Sequence, residues 1–262
     1  MINLFTLFFI FLLGLAVGSF LNCAIYRLEI GGSFLKGRSF CPHCRHVLSW
    51  PDLIPLFSFV FLKGKCRYCQ QKISLQYPLV ELATGIIFLS IFFFPVYTYI
   101  NNYTPVYLLI MSCFLIVIFV YDLKHYIIPD KVVYPAIIIA GIFNFLPHQN
   151  FGGGFNQFSI LSGIGAAAFF LAIVLVSRGR WMGVGDVKLA FLMGLLLGFP
   201  NILVALFFSF LIGAIIGVGL LISGRKTLKS EVPFGPFLVT GTFIALFWGQ
   251  TIISCYLQLT MI

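Results

Sequence analysis

Eight apolar runs, each bounded by polar or charged residues, set the limits on what this chain can fold into. They occupy residues 6–25, 80–97, 106–121, 132–146, 158–176, 187–198, 202–222 and 234–256. Hydrophobic residues make up 61% of the chain and charged residues 9%, with a mean hydropathy of +1.08. A water-soluble domain of 262 residues cannot hide that much apolar surface, so lipid must be the solvent for most of it. The expected fold is an all-α polytopic membrane protein with about eight transmembrane helices. Several runs fall short of the roughly 20 residues that a crossing needs, so flanking polar residues or local thinning must complete them.

Charge sets the orientation. Of 16 Lys and Arg, eight lie between Arg27 and Lys72. The others are Lys124, Lys131, Arg178, Arg180, Lys188, Arg225, Lys226 and Lys229, each in or beside every second connection. The intervening connections, 95–105, 147–157 and 199–201, carry no charge. The positive-inside rule therefore makes the charged loops cytoplasmic and places both termini outside. A net charge of +9 is what an anionic inner leaflet selects, and no nucleic-acid partner is expected from basic residues spread over equivalent loops. The first run lacks a basic leader region and reads as a retained helix rather than a signal peptide. Gly152–Gly153–Gly154 reads as an external turn, and no internal repeat is visible.

Four of seven cysteines fall in the long first loop as Cys41-x-x-Cys44 and Cys66-x-x-Cys69. Two such pairs supply a tetrahedral sulfur shell for Zn2+, and a reducing cytoplasm favours metal over disulfide; a redox dithiol pair is the alternative. Between the pairs, Trp50, Leu53, Ile54, Leu56 and Phe57 offer apolar material for a small lid that metal binding would help to fold. His43 and His46 read as surface residues. Cys23, Cys113 and Cys255 lie in apolar runs and read as small core side chains.

Only seven acids are present: Glu29, Asp52, Glu81, Asp122, Asp130, Asp186 and Glu231. An ionisable group touching a membrane span is costly, so each is a functional suspect. Asp122 closes the third run in Tyr121-Asp-Leu-Lys124 and Asp186 opens the sixth in Gly183-Val-Gly-Asp186, both at the cytoplasmic boundary. Two converging carboxylates can share one proton, the ionised one activating water and the protonated one polarising a carbonyl. The glycines before Asp186 remove side chains where a substrate backbone would approach. Asp186 also suits a helix cap, as does Asp130 after Ile128-Pro129. Asp122 does not, because a negative charge at a helix C-terminus opposes the macrodipole.

These residues resemble the type IV prepilin peptidase family, the bacterial leader peptidases of pilins and type II secretion pseudopilins. The matching stretches include Gly18-Ser-Phe-Leu-Asn22, Cys41-Pro-His-Cys44, Asp52-Leu-Ile-Pro-Leu56, Gly64-Lys-Cys-Arg-Tyr-Cys69, Tyr77-Pro-Leu-Val-Glu81, Gly183-Val-Gly-Asp186 and Pro233-Phe-Gly-Pro236, in order over nearly the whole chain. The resemblance implies an aspartyl protease with catalytic Asp122 and Asp186, cleaving the basic leader of prepilins or pseudopilins after a glycine. It implies zinc on Cys41, Cys44, Cys66 and Cys69, and methylation of the new N-terminal residue, often Phe, by S-adenosylmethionine. Gly64 and Glu81 are the candidates for that cofactor site; a turn glycine and a helix-start acid are their plainer readings. Family members often carry a second acid two positions after the first Asp, where this chain has Lys124. Glu29, Asp52, Glu81 and Glu231 are the counter-charges available to a basic leader.

The expected organisation is a first transmembrane helix at 1–26, a cytoplasmic four-cysteine loop domain at 27–77, and a seven-helix membrane domain at 78–262 carrying the protease site. A proton-coupled transporter using paired acids, and a zinc-knuckle scaffold without chemistry, are the competing classes.

Overall fold

The computed structural model describes residues 4–32, 37–93, 104–145, 157–224 and 232–260. Within them lie α1 (Leu4–Glu29), a 3₁₀ turn at Trp50–Leu53, α2 (Phe57–Phe61), α3 (Gln76–Phe93) and α4 (Thr104–His125). There follow α5 (Asp130–Phe145), α6 (Gln157–Ser177), α7 (Val184–Leu197), α8 (Asn201–Ile222) and α9 (Gly235–Thr260). No strand forms among the described residues, where two isolated antiparallel bridges join Phe40 to Val47 and Lys65 to Lys72.

The described part of each apolar run lies almost wholly on a helix, as lipid requires, since a spanning segment must satisfy its backbone polar groups internally. Six helices (α1, α3, α4, α6, α8 and α9) are long and apolar enough to cross a membrane. The expectation of eight crossings is not matched by length in the other two, for α5 has 16 residues and α7 has 14. At 1.5 Å per residue, α7 reaches about 21 Å, against a hydrocarbon thickness of about 30 Å. Its ends are set by backbone: Gly183 is extended before its first turn, and Gly198 takes a positive φ of 66° after its last. The short run at 106–121 goes the other way, because α4 continues through Asp122 to His125.

Large apolar side chains point outward; Phe5 is 72%, Leu161 67% and Ile222 82% exposed. Only lipid accommodates such surface, and this is a multi-pass membrane protein.

Small residues let the helices approach. Gly14 faces Gly85, Gly18 faces the Glu81 backbone, and Asn22 Nδ2 donates to the Tyr77 carbonyl at 3.0 Å, which fixes α1 antiparallel to α3. A methyl on Gly14 or Gly18 would lie 2.7 Å from the opposing Cα, so the stripe works by close backbone contact. Gly194 of α7 meets Gly163 of α6 in the same way, and Asn144 of α5 donates to the Leu195 carbonyl of α7 at 3.0 Å. The chain divides into two compact units, Met1–Pro95 with Leu108–Val117, and Val96–Tyr107 with Ile118–Ile262. The Gly152–Gly154 turn, Lys36, Arg225, Lys226, Lys229 and Glu231 lie outside the described residues.

Candidate active site

Asp122 stands in the last turn of α4 and Asp186 in the first turn of α7, both within the second unit. Both are buried, at 4% and 8% exposure, and the charge of Asp122 acts on Asp186. Two acids far apart in sequence thus lie buried in one unit, near enough for one charge to bear on the other. Each carboxylate receives a glycine amide: the Gly183 N–H donates to Asp186 Oδ2 at 3.1 Å, and the Gly235 N–H donates to Asp122. Gly235 is the first residue of α9, so its amide belongs to the positive end of that helix. This offsets the negative end of α4, on which Asp122 sits.

Gly235 was not singled out as a site residue on sequence grounds. Its only signal is its place within Pro233-Phe-Gly-Pro236. The Gly183 bond shows that Asp186 caps α7 as the sequence allowed, and the cap is also what orients its carboxylate. The glycines before Asp186 do not both clear a path for substrate. A side chain on Gly185 would press on Ile128 at 3.1 Å, so that glycine serves packing within the chain, whereas Gly183 meets nothing closer than 3.8 Å. Asp130 starts α5 with a 58% exposed side chain, and its Oδ1 accepts a hydrogen bond from Lys188 Nζ at 2.6 Å. It stands outside the buried pair.

In the first unit, the Sγ atoms of Cys41, Cys44, Cys66 and Cys69 all lie within 4.8 Å of one another. Cys41 and Cys69 are 3.9 Å apart, close to the spacing of about 3.8 Å expected between sulfurs in a tetrahedral shell with Zn–S bonds of about 2.3 Å. The donor set fits a structural zinc site. The two pairs are built as equivalent turns. Cys41 and Cys66 each donate N–H five residues ahead, to His46 and Gln71, and accept four residues ahead, from Arg45 and Gln70. Arg45 and Gln70 share φ values of 57° and 58°, and the bridges Phe40–Val47 and Lys65–Lys72 close both turns alike. Protein purified without chelator is expected to carry about one zinc per chain, lost in Cys66→Ser. Elemental analysis showing none in the wild type would remove the metal.

The second knuckle is tied to the 3₁₀ turn through Asp52. Its Oδ2 accepts from the Ser49 hydroxyl at 2.7 Å and from Tyr68 OH at 3.2 Å, while Arg67 Nε lies 2.9 Å from Oδ1 as an ion pair. Burial alone would push its pKa up; the Ser49 hydroxyl and amide, Arg67 and Tyr68 together outweigh it and hold the carboxyl below its ordinary value. The 3₁₀ turn and α2, which carry the apolar linker, bury none of their residues. His43 and His46 are exposed as expected. Cys255 is exposed on α9 rather than set in a core, whereas Cys23 and Cys113 are half-buried.

Glu81 is buried in the second turn of α3 and accepts a hydrogen bond from the Leu56 N–H at 2.8 Å and another from the Ser19 hydroxyl. Gly64 has φ of 68°, donates to the Phe59 carbonyl and accepts from the Ile73 amide. The two glycine and glutamate candidates therefore bracket α2 from its two ends. Asp52 is ion-paired with Arg67, which removes it as a free counter-charge, whereas Glu81 accepts from the neutral Leu56 amide and Ser19 hydroxyl.

Comparison with known proteins accords with this arrangement. A family model described as Bacterial Peptidase A24 N-terminal domain matches residues 12–94, and one described as Type IV leader peptidase family matches residues 109–218. A Bacillus subtilis protein named prepilin leader peptidase/N-methyltransferase is 32% identical, covering 96% of this chain and 98% of its own length. Proteins of the same name from Aeromonas hydrophila and Pseudomonas aeruginosa are each 32% identical, covering 95% and 94% of this chain and 92% of their own lengths. No solved structure gives a significant match. On both family models and on relatives aligned from end to end, the chain belongs to the type IV leader peptidase family.

Proposed function

We propose that this chain is a bifunctional inner-membrane enzyme. It cleaves the basic leader of type IV prepilins or pseudopilins after a glycine, at the cytoplasmic face, and N-methylates the residue so exposed. The reading is carried by one observation: Asp122 and Asp186, the two buried carboxylates among the described residues of their unit, lie near enough for the charge of one to bear on the other, and each is backed by a glycine amide. With one proton shared between them, the ionised Asp takes a proton from water as the oxygen attacks the scissile carbonyl. The protonated Asp donates to the carbonyl oxygen. Collapse of the tetrahedral intermediate passes a proton to the leaving amine and restores the shared state. The apolar helix that follows a prepilin's cleavage site explains why the hydrolase resides in the bilayer. The start of α1 and the end of α9 lie on the far side of the membrane in this reading.

Zinc on Cys41, Cys44, Cys66 and Cys69 would hold the segment 27–77 in shape, while the membrane domain 78–262 carries proteolysis. S-adenosylmethionine supplies the methyl group. The Gly64 amide and carbonyl are used within its turn, and the Glu81 carboxylate accepts from Leu56 and Ser19, which ties both residues to the two ends of α2. Both act as positioning residues for α2. Co-expression with a prepilin, followed by mass measurement of the pilin N-terminus, is expected to show a shortened chain bearing one added methyl group. An intact precursor beside well-expressed protein would overturn the assignment, and a shortened chain without the methyl would remove the transferase half.

A further inference from the structure

The geometry points to α2 as a membrane-interface anchor. Phe57, Val60 and Phe61 enter the boundary between headgroups and acyl chains of an anionic leaflet and hold the four-cysteine segment against the bilayer. These three side chains are 57%, 71% and 80% exposed, and Trp50 nearby is 78% exposed. So dense an apolar patch has no stable place in water.

Depth identifies the occupant. Leu56, the residue before α2, is fastened to Glu81, and the Ser19 hydroxyl bonds the same carboxylate. Gly18 packs on the Glu81 backbone, so Leu56 is held at the level of Gly18 and Ser19. Arg27 marks where α1 meets charge, and Ser19 lies roughly 12 Å further in along the helix axis. The loop thus folds back below the charged end of α1, to a level just beyond the inner limit of the band of about 5–10 Å in which interfacial helices bury their apolar face. Leu75 and Leu79, 66% and 62% exposed, continue the apolar surface at the start of α3. Charge agrees with depth: Lys63, Lys65, Arg67 and Lys72 follow α2, and no acid occurs between Asp52 and Glu81. Aromatic residues flanked by lysines suit an anionic leaflet better than a basic peptide, which the same cations would repel.

The test uses the full-length protein in liposomes of phosphatidylethanolamine and phosphatidylglycerol, with p-benzoylphenylalanine at position 61 or, as a control, at position 43. Irradiation should add one phospholipid mass to the position-61 protein and none to the position-43 protein. Replacing phosphatidylglycerol by phosphatidylcholine should lower the yield about twofold. Phe61→Trp, with the three native tryptophans changed to Phe, provides a second measurement, and brominated lipid should quench about half of its emission. Adducts to a second protein copy in place of lipid, equal labelling at both positions, or quenching of the Phe61→Trp emission by aqueous iodide alone would each overturn the anchor. No prepilin enters the test, so its failure would leave the peptidase reading standing.

Discussion

Replacing either Asp122 or Asp186 by Asn lowers prepilin cleavage about 10³-fold or more, with the protein still folded in the membrane. The substitution is close to isosteric. An amide oxygen can still accept the Gly235 or Gly183 N–H, so the start of α7 and the contact between α4 and α9 survive. What disappears is a group able to take or give a proton beside the scissile bond. The loss should fall on kcat, because the prepilin's apolar helix supplies most of its binding. Doubling the substitution should cost little more than either single change, since the two acids work as one unit and half of the pair has no partial activity to lose. Asp130→Asn is the control: this acid is exposed and paired with Lys188, and processing should stay within a few-fold of wild type. A single Asn variant that still processes fully would dismiss the pair. Equal losses in all three would mean that charge in general, and not this pair, supports the activity.

Lipid made most of the fold legible. A spanning helix announces itself by local length and apolarity, so each of the eight runs could be placed without knowing what it packs against. The extent of α7 was less accessible, because Gly183 and Gly198 stop it through backbone conformation rather than hydropathy. The four cysteines were readable because metal ligands constrain both residue type and spacing. Their arrangement as two equivalent turns was not, since Pro42-His43 and Arg67-Tyr68 share no chemistry and the likeness resides in hydrogen bonds and in the φ angles of Arg45 and Gln70. How exposed the apolar linker stays was hidden for a related reason. Apolar residues in a loop usually mean a core, yet beside a membrane they can equally stay exposed, as Trp50 and Phe61 do. Asp122 and Asp186 were suspects because charge at a membrane boundary is costly. That Gly235 meets Asp122, and that both acids end up buried in one unit, are long-range facts that neither periodicity nor spacing carries.

Gly235→Ala should reduce cleavage about 10²-fold while leaving expression, membrane insertion and KM close to wild type. A methyl group at this position would overlap the Asp122 Oδ2 and lie 3.1 Å from its Cγ, tighter than ordinary contact. Either the carboxylate swings away or the first turn of α9 retreats, and in both cases the Gly235 amide no longer reaches Asp122. The site would keep its two acids and lose their mutual placement, so the deficit should appear in kcat. Gly183→Ala is the informative comparison. Its amide also serves a carboxylate of the proposed pair, yet its backbone is extended at φ −87° and ψ 159°, which alanine adopts freely, and a methyl there would sit 3.9 Å from Asp186 Oδ2. The amide bond would survive, and the activity lost should be several-fold at most. The two glycines play matching roles, and only the space around them differs. A rate for Gly235→Ala equal to that of Gly183→Ala would show that the contact with Asp122 is not what positions the acid.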